Sequence, residues 1–175
     1  MKRGGKGGDK TLTGLRFESR VTLGTVIASL PDYNVSGDDI YFKNNKVAEL
    51  YYKNKLYKKL LEPKGIDYSK IIAKKLLPDD AILILSNGTL YIVEIKFQEV
   101  AGSVDEKLQT CDFKNKQYKK LLSPLGISVK YVYVLSDWFR KKEYNDVLEY
   151  IKSVGCYYFF NVLPLDFLGL PLPKK

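Results

Sequence analysis

The chain has no histidine among its 175 residues. That absence excludes Ser-His-Asp and Cys-His catalysis, histidine-based zinc sites and every nuclease that relies on a histidine base. Any catalysis here must use carboxylates, lysine, tyrosine, cysteine or a metal ion. Cysteine is scarce as well. Cys111 and Cys156 can form at most one bridge, which a core of this size does not need, so both are expected to be reduced thiols of a cytoplasmic protein. No apolar run reaches the roughly 18 residues that suggest a membrane span. The opening Met1-Lys-Arg-Gly-Gly-Lys lacks the apolar stretch of a secretory signal. The expectation is a cytoplasmic protein with no membrane partner and no small-molecule cofactor.

Acidic residues are also few: 20 Asp and Glu stand against 29 Lys and Arg, a net charge of +9. Such an excess attracts a polyanion, and nucleic acid is the first candidate. Apolar residues make up 45% and aromatics 13%, with 14 tyrosines, which is the composition of a packed globule rather than a disordered chain. The length fits one domain, read as residues 14–175 behind a flexible basic arm at 1–13 that could follow a phosphate backbone.

Periodicity orders the remainder. Phe17, Val21, Gly24 and Ala28 mark a helix stripe that Pro31 stops, and residues 32–42 read as a loop. Ala48, Tyr52, Leu56 and Leu60 mark a second helix ending before Pro63-Lys-Gly65, and residues 71–76 are a weak strand candidate interrupted by lysine. Residues 81–85 and 90–97 read as two strands joined at Asn87-Gly88, a pair suited to a two-residue type I′ turn. A loop over 98–111, a helix near 112–122, a strand at 129–135, a helix at 142–154 and a short strand at 157–160 follow, and residues 163–173 are expected to wrap the surface. One internal repeat occurs: residues 52–67 and 113–128 agree at 11 of 16 positions, both Lys-rich and closed by Pro-x-Gly. Duplication and convergence on one helix recipe both account for it.

The chemistry concentrates between Pro78-Asp79-Asp80 and Glu94-Ile95-Lys96. Acid-x-Lys triplets are common in a chain with this many acids and lysines: about three are expected by chance and four occur. Glu62-Pro-Lys64 sits at a helix end, Asp105-Glu-Lys107 in a loop and Asp112-Phe-Lys114 at a helix start, where an acid acts as a cap or dipole partner. Glu94-Ile-Lys96 alone falls inside a strand. With a two-residue turn, Asp79 faces Lys96 and Ala81 faces Glu94, so Asp79, Glu94, Lys96 and Gln98 emerge on one face of the sheet. Asp80 emerges on the other, and a one-residue slip would exchange the two aspartates.

Pro-Asp followed by Glu-x-Lys resembles the signature of the restriction-endonuclease-like, PD-(D/E)XK, nuclease superfamily. The similarity spans residues 14–135, and the chain is most like a type II restriction endonuclease. The resemblance implies an α/β fold whose core is a central mixed sheet flanked by helices, in the order αβββαβ. It implies a Mg2+-dependent DNA endonuclease, with Mn2+ able to substitute, acting on double-stranded DNA as a homodimer. Asp79 and Glu94, with the Ile95 backbone carbonyl, would hold the metal, with Asp80 as the fallback ligand. Lys96 would stabilise charge at phosphorus, and Gln98 would complete the catalytic set. Glu18, at the rim of the first helix stripe, matches the superfamily's accessory acid. Ser103, Lys107, Lys114, Lys116 and Gln117 would contact DNA, with further grip from Lys53, Lys55, Lys58 and Lys59. A junction or repair nuclease using the same site, a non-catalytic basic DNA-binding module, and RNA as the substrate remain open alternatives.

Overall fold

The computed structural model describes residues 14–18, 21–98 and 104–174. The basic arm at 1–13 and Ser103 therefore lie outside the described residues. The architecture is mixed α/β, built on a seven-stranded, mostly antiparallel sheet. In chain order the elements are β1 (Gly14–Arg16), α1 (Leu23–Ala28), β2 (Tyr33–Ser36), β3 (Asp39–Phe42), β4 (Asn45–Leu50), β5 (Asp80–Ile84), β6 (Thr89–Lys96), α2 (Val104–Leu108), α3 (Cys111–Leu122), β7 (Ser128–Leu135), α4 (Asn145–Ser153), β8 (Tyr157–Phe160), β9 (Val162–Pro164) and α5 (Leu165–Leu168). The large sheet runs β2-β3-β4-β5-β6-β7-β8. Strands β2 to β6 form an antiparallel meander, while β7 and β8 add in parallel. The parallel steps need crossovers, which α3 and α4 supply. A separate two-stranded sheet pairs β1 with β9.

Strand alternation divides the interior between the two faces of the sheet. Ala81, Leu90, Ile92, Tyr131, Tyr133 and Leu135 pack beneath α3 and α4, which contribute Tyr118, Leu121, Leu122, Leu148 and Ile151. On the opposite face Ile82, Ile84, Tyr91, Val93, Val132 and Val134 meet Leu23, Val26 and Ile27 of α1 and Leu165 and Leu168 of α5. Burial of each such aliphatic side chain stabilises the fold by roughly 1.5–3 kcal/mol, so the central strands β5, β6 and β7 form the most firmly held part of the molecule.

Several sequence expectations are corrected. The helix foreseen over 17–28 is only α1, because Thr22 caps it: the Thr25 amide donates to Thr22 Oγ1 at 3.3 Å. Residues 32–42 are not a loop but the hairpin β2–β3, turning at Gly37, whose φ of 63° suits glycine. The helix foreseen through Ala48 and Tyr52 starts later. Ala48 and Leu50 lie in β4, paired with Ile84 and Ile82, and only Leu56–Leu61 coils, as a π-helical turn. Residues 71–76 form no strand, and the segment foreseen as the loop 98–111 contains α2. Residues 163–173 are more regular than foreseen, including the end of β9 and all of α5.

The two repeat copies converge at their C-terminal ends. Each closes with a 3₁₀ turn containing proline, followed by glycine with φ of 71° at Gly65 and 65° at Gly126. Leu60-Leu61 and Leu121-Leu122 are buried in the same hydrophobic layer. The copies differ in winding: the first is the π-helical turn and the second is α3. Among the described residues, no helix is long and apolar enough to cross a membrane.

Candidate active site

The β5–β6 hairpin positions the acids. Its connection is four residues, Leu85 to Gly88, rather than two, and Gly88 alone in it has positive φ, at 62°. The Gly88 amide donates to Ile84 O at 3.0 Å, and Asn87 Oδ1 accepts from the Thr89 amide at 3.0 Å. The register is therefore offset by two from the expectation: Asp80 faces Val93 and Ile82 faces Tyr91. A shift of two preserves the side-chain faces, so Asp79, Glu94 and Lys96 still share a side.

They meet there. Lys96 Nζ lies 2.8 Å from Asp79 Oδ2 and 2.8 Å from Glu94 Oε2. Lys114 from α3 adds a second ammonium 3.8 Å from the same Glu94 oxygen. The Glu94 side chain is 5% exposed and that of Lys96 17%, whereas that of Asp79 reaches solvent at 51%. The cluster thus opens outward on the Asp79 side. Asp80 is turned to the opposite face, where its Oδ2 accepts from the Leu23 amide at 3.2 Å.

Electrostatics separate the four groups. Burial raises the Asp79 carboxyl, but the hydrogen bond and charge of Lys96 outweigh it and hold the group below the usual carboxylate range. Deeper burial raises Glu94 despite Lys96 and Lys114. Desolvation would lower Lys96, yet the Glu94 charge and its two carboxylate hydrogen bonds raise it, so Lys96 remains an ammonium. Burial pushes Asp80 up to about 6, reinforced by the charges of Asp79 and Glu94 and opposed by the Leu23 N–H.

The Ile95 carbonyl follows from strand geometry. Lys96 O accepts from the Ser136 amide on the β7 side at 3.1 Å. Backbone carbonyls alternate along a strand, so that of Ile95 points toward β5. Continuing the observed pairing outward from Asp80 and Val93 brings Pro78 opposite Ile95. Proline has no N–H to donate, and β5 begins only at Asp80. The Ile95 carbonyl therefore points toward β5 with no ladder partner opposite it.

Gln98 lies just beyond β6. Its backbone N–H donates to Ser136 Oγ at 3.2 Å and its carbonyl accepts from the same hydroxyl at 3.1 Å. Its side-chain amide is buried, and neither Nε2 nor Oε1 has a hydrogen-bond partner among the described residues. Asn115 Oδ1 on α3 is likewise buried and unpartnered. Tyr118 and Tyr131 stack at 6.4 Å between ring centroids, and both phenols feel the Glu94 charge as well as burial, which raises them. Asn115 and Tyr131 were not foreseen, although each carries a positional signal. Asn115 is the polar member of the buried stripe Cys111, Asn115, Tyr118, Leu122 on α3. Tyr131 stands two residues before Tyr133, which pairs with Glu94 across the parallel seam.

The remaining candidates separate. Glu18 precedes α1 instead of lying on it, is exposed, and makes no side-chain hydrogen bond or ion pair among the described residues. Lys114 joins the acidic cluster, whereas Lys116, two residues on and roughly opposite around the helix, pairs with Asp112 at 2.7 Å. Gln117 is half-buried on α3, and Lys107 is exposed on α2, whose carbonyl at that position accepts from Tyr133 Oη at 3.2 Å. Lys55 and Lys59 both bind Asp38, Lys58 is exposed, and Lys53 is adjacent to the cluster through its amide, which donates to Pro78 O at 2.9 Å. Cys111 and Cys156 are buried free thiols.

Among the described residues, no group of three or more Asp, Glu, Cys or His side chains gathers as a metal cage. The donor set suits a different kind of site. Two carboxylate oxygens touch one ammonium, so one cation can touch both, and Mg2+ is commonly held by one or two carboxylates with water and substrate phosphate completing its shell. A cleft of about 740 Å³ elsewhere, lined by residues including Gln109, Glu143 and Asp146, shares no residue with the cluster. No protein-family model, curated protein or solved structure matches this chain.

Proposed function

We propose that the chain is a metal-dependent DNA endonuclease of the restriction-endonuclease-like superfamily, acting as a type II restriction enzyme. The observation carrying the reading is the convergence of Asp79, Glu94 and Lys96 at the open end of β5 and β6, with Lys96 Nζ 2.8 Å from each carboxylate. With β2 and β3 inserted after α1, and α2 after β6, the elements α1, β4, β5, β6, α3 and β7 can be read in the αβββαβ order of that superfamily's core, which supports the finer fold reading.

Asp79, Glu94 and the Ile95 carbonyl would hold Mg2+ or Mn2+. Once bound, the ion supplies Lewis acidity at phosphorus and lowers the pKa of a water. Lys96, kept protonated by its two acids, serves as a fixed positive charge for the oxyanion rather than as a base. Lys114 adds charge on the helix side. The Gln98 amide is buried without a partner among the described residues, a state that costs about 1–3 kcal/mol unless a water or bound group pairs it. Lys107, Lys116 and Gln117 extend the basic surface for DNA, and cleavage of both duplex strands calls for two copies of the site, hence a homodimer.

The test is incubation with unmethylated phage DNA and Mg2+. Discrete bands are expected. Lys96→Ala and Asp79→Asn proteins are expected to bind DNA while cleaving at least about 100-fold more slowly. Undiminished cleavage by either variant refutes the site. A smear, or selective cutting of branched DNA, identifies a repair or junction enzyme, and a labelled RNA control reports on the nucleic acid class.

A further inference from the structure

The trio's solvent-facing acid also belongs to a second concavity. Asp79 and Asp80, adjacent in sequence but on opposite faces of the sheet at the start of β5, both line a cleft of about 390 Å³ between α1, the β2–β3 turn and the segment after β4. The walls differ in chemistry. Val35, Leu50 and the Tyr52 ring provide flat and apolar surface, while Thr22, Thr25 and Asp80 provide polar groups. Lys53 stands in the lining, and Lys55 Nζ sits 4.2 Å from the Tyr52 ring centroid.

Two further observations point to a ligand. Asp80 is 6% exposed, and only its Oδ2 is engaged, by the Leu23 amide. Asp80 is also one of the residues that line the cleft, and no hydrogen bond to its Oδ1 occurs among the described residues. Such a carboxylate oxygen needs a hydrogen-bond donor. Lys53 also has a left-handed backbone, φ 49°, and its N–H donates to Pro78 O at 2.9 Å. Non-glycine residues in that region cost free energy and cluster at ligand clamps.

On the nuclease reading, we propose that this cleft receives one DNA base, turned out of the stack beside the phosphate presented to Asp79, stacked on Tyr52 and donating an amine to Asp80. The volume lies near the lower end of ordinary small-ligand sites. A base offers a flat apolar face with a polar edge, matching the two kinds of wall. Lys53 supplies positive charge in the lining for the strand that carries it, beside Asp79 and Asp80. Adenine, cytosine and guanine can offer Asp80 an exocyclic amine, whereas thymine offers only its ring N3–H, so the cleft is expected to favour the amine-bearing bases.

Photocrosslinking tests the assignment. Randomised DNA duplexes carrying 5-iodocytosine or 5-iodouracil are irradiated with saturating protein in Ca2+, and the adducts are mapped by mass spectrometry. The expected result is an adduct on Tyr52, stronger with iodocytosine. Thr25→Trp, at an exposed helix position, fills the cleft while leaving Tyr52 in place. It should reduce the Tyr52 adduct at least about fivefold, the lower end of what one base–aromatic stack contributes. Asp80→Asn should erase the preference for iodocytosine. Adducts confined to other exposed aromatics such as Phe113, or a Tyr52 adduct unaffected by Thr25→Trp, overturn the proposal while leaving DNA binding intact. Failure to bind any DNA refutes the nuclease reading itself.

Discussion

Replacing Asp80 with asparagine isolates the cost of a buried charge. The carboxyl lies 6% exposed between the sheet and α1, and its folded-state pKa is raised from 3.8 to about 6, chiefly by burial. Between those two values the folded protein binds a proton that the unfolded chain has released, so stability falls as pH rises through the window. A tenfold change in proton affinity corresponds to about 1.4 kcal/mol, so the full effect is about 3 kcal/mol, complete above pH 6. Asparagine does not titrate, and its side-chain oxygen can still accept from the Leu23 amide. The stability of the variant relative to wild type should therefore improve by about 3 kcal/mol from about pH 3.5 to about pH 7. Urea unfolding at half-unit pH steps reads this, and titrating groups other than Asp79 and Glu94, whose charges act on Asp80, cancel in the difference. A difference that stays flat with pH would refute the reasoning, because Asp80 would then be as well solvated folded as unfolded.

Three other outcomes are expected. Lys96→Met should destabilise the protein by about 3 kcal/mol at neutral pH, because Glu94 is left buried with only Lys114 nearby, and adding Glu94→Gln should recover most of the loss in the same denaturation assay. Lys114→Ala should reduce the salt dependence of DNA binding by about one unit of log–log slope, and Lys116→Ala by less, since Asp112 already pairs with it. Both thiols should react with Ellman's reagent only as the protein unfolds, as Cys111 is 0% and Cys156 2% exposed; rapid reaction in native buffer would contradict their packing.

The face shared by the acids was legible because it depends on parity alone. Asn87-Gly88 marks a turn, and although the loop is two residues longer than expected, an even displacement keeps Asp79, Glu94 and Lys96 together. The sequence misleads where one spacing crosses an element boundary. Ala48, Tyr52, Leu56 and Leu60 look like one helical stripe, yet Ala48 lies in β4 and only Leu56 and Leu60 share a coil. Likewise Phe17 and Val21 precede α1, so the helix expected to carry Glu18 does not reach it. The β2–β3 hairpin is masked by its loop-like composition. Its Gly37 is the left-handed corner between Val35 and Ile40, which pair across it. The contact between Lys114 and Glu94 depends on how α3 lies across the sheet, a tertiary fact with no local signature.

Pro78 sets a limit on how far the molecule can zip itself shut. A residue with an ordinary amide at that position could extend the seam between neighbouring strands and consume the Ile95 oxygen. Instead a missing hydrogen leaves a notch in the stiffest part of the scaffold. The acids already meet on Lys96 beside that notch, so they need no closing flap to be brought into line.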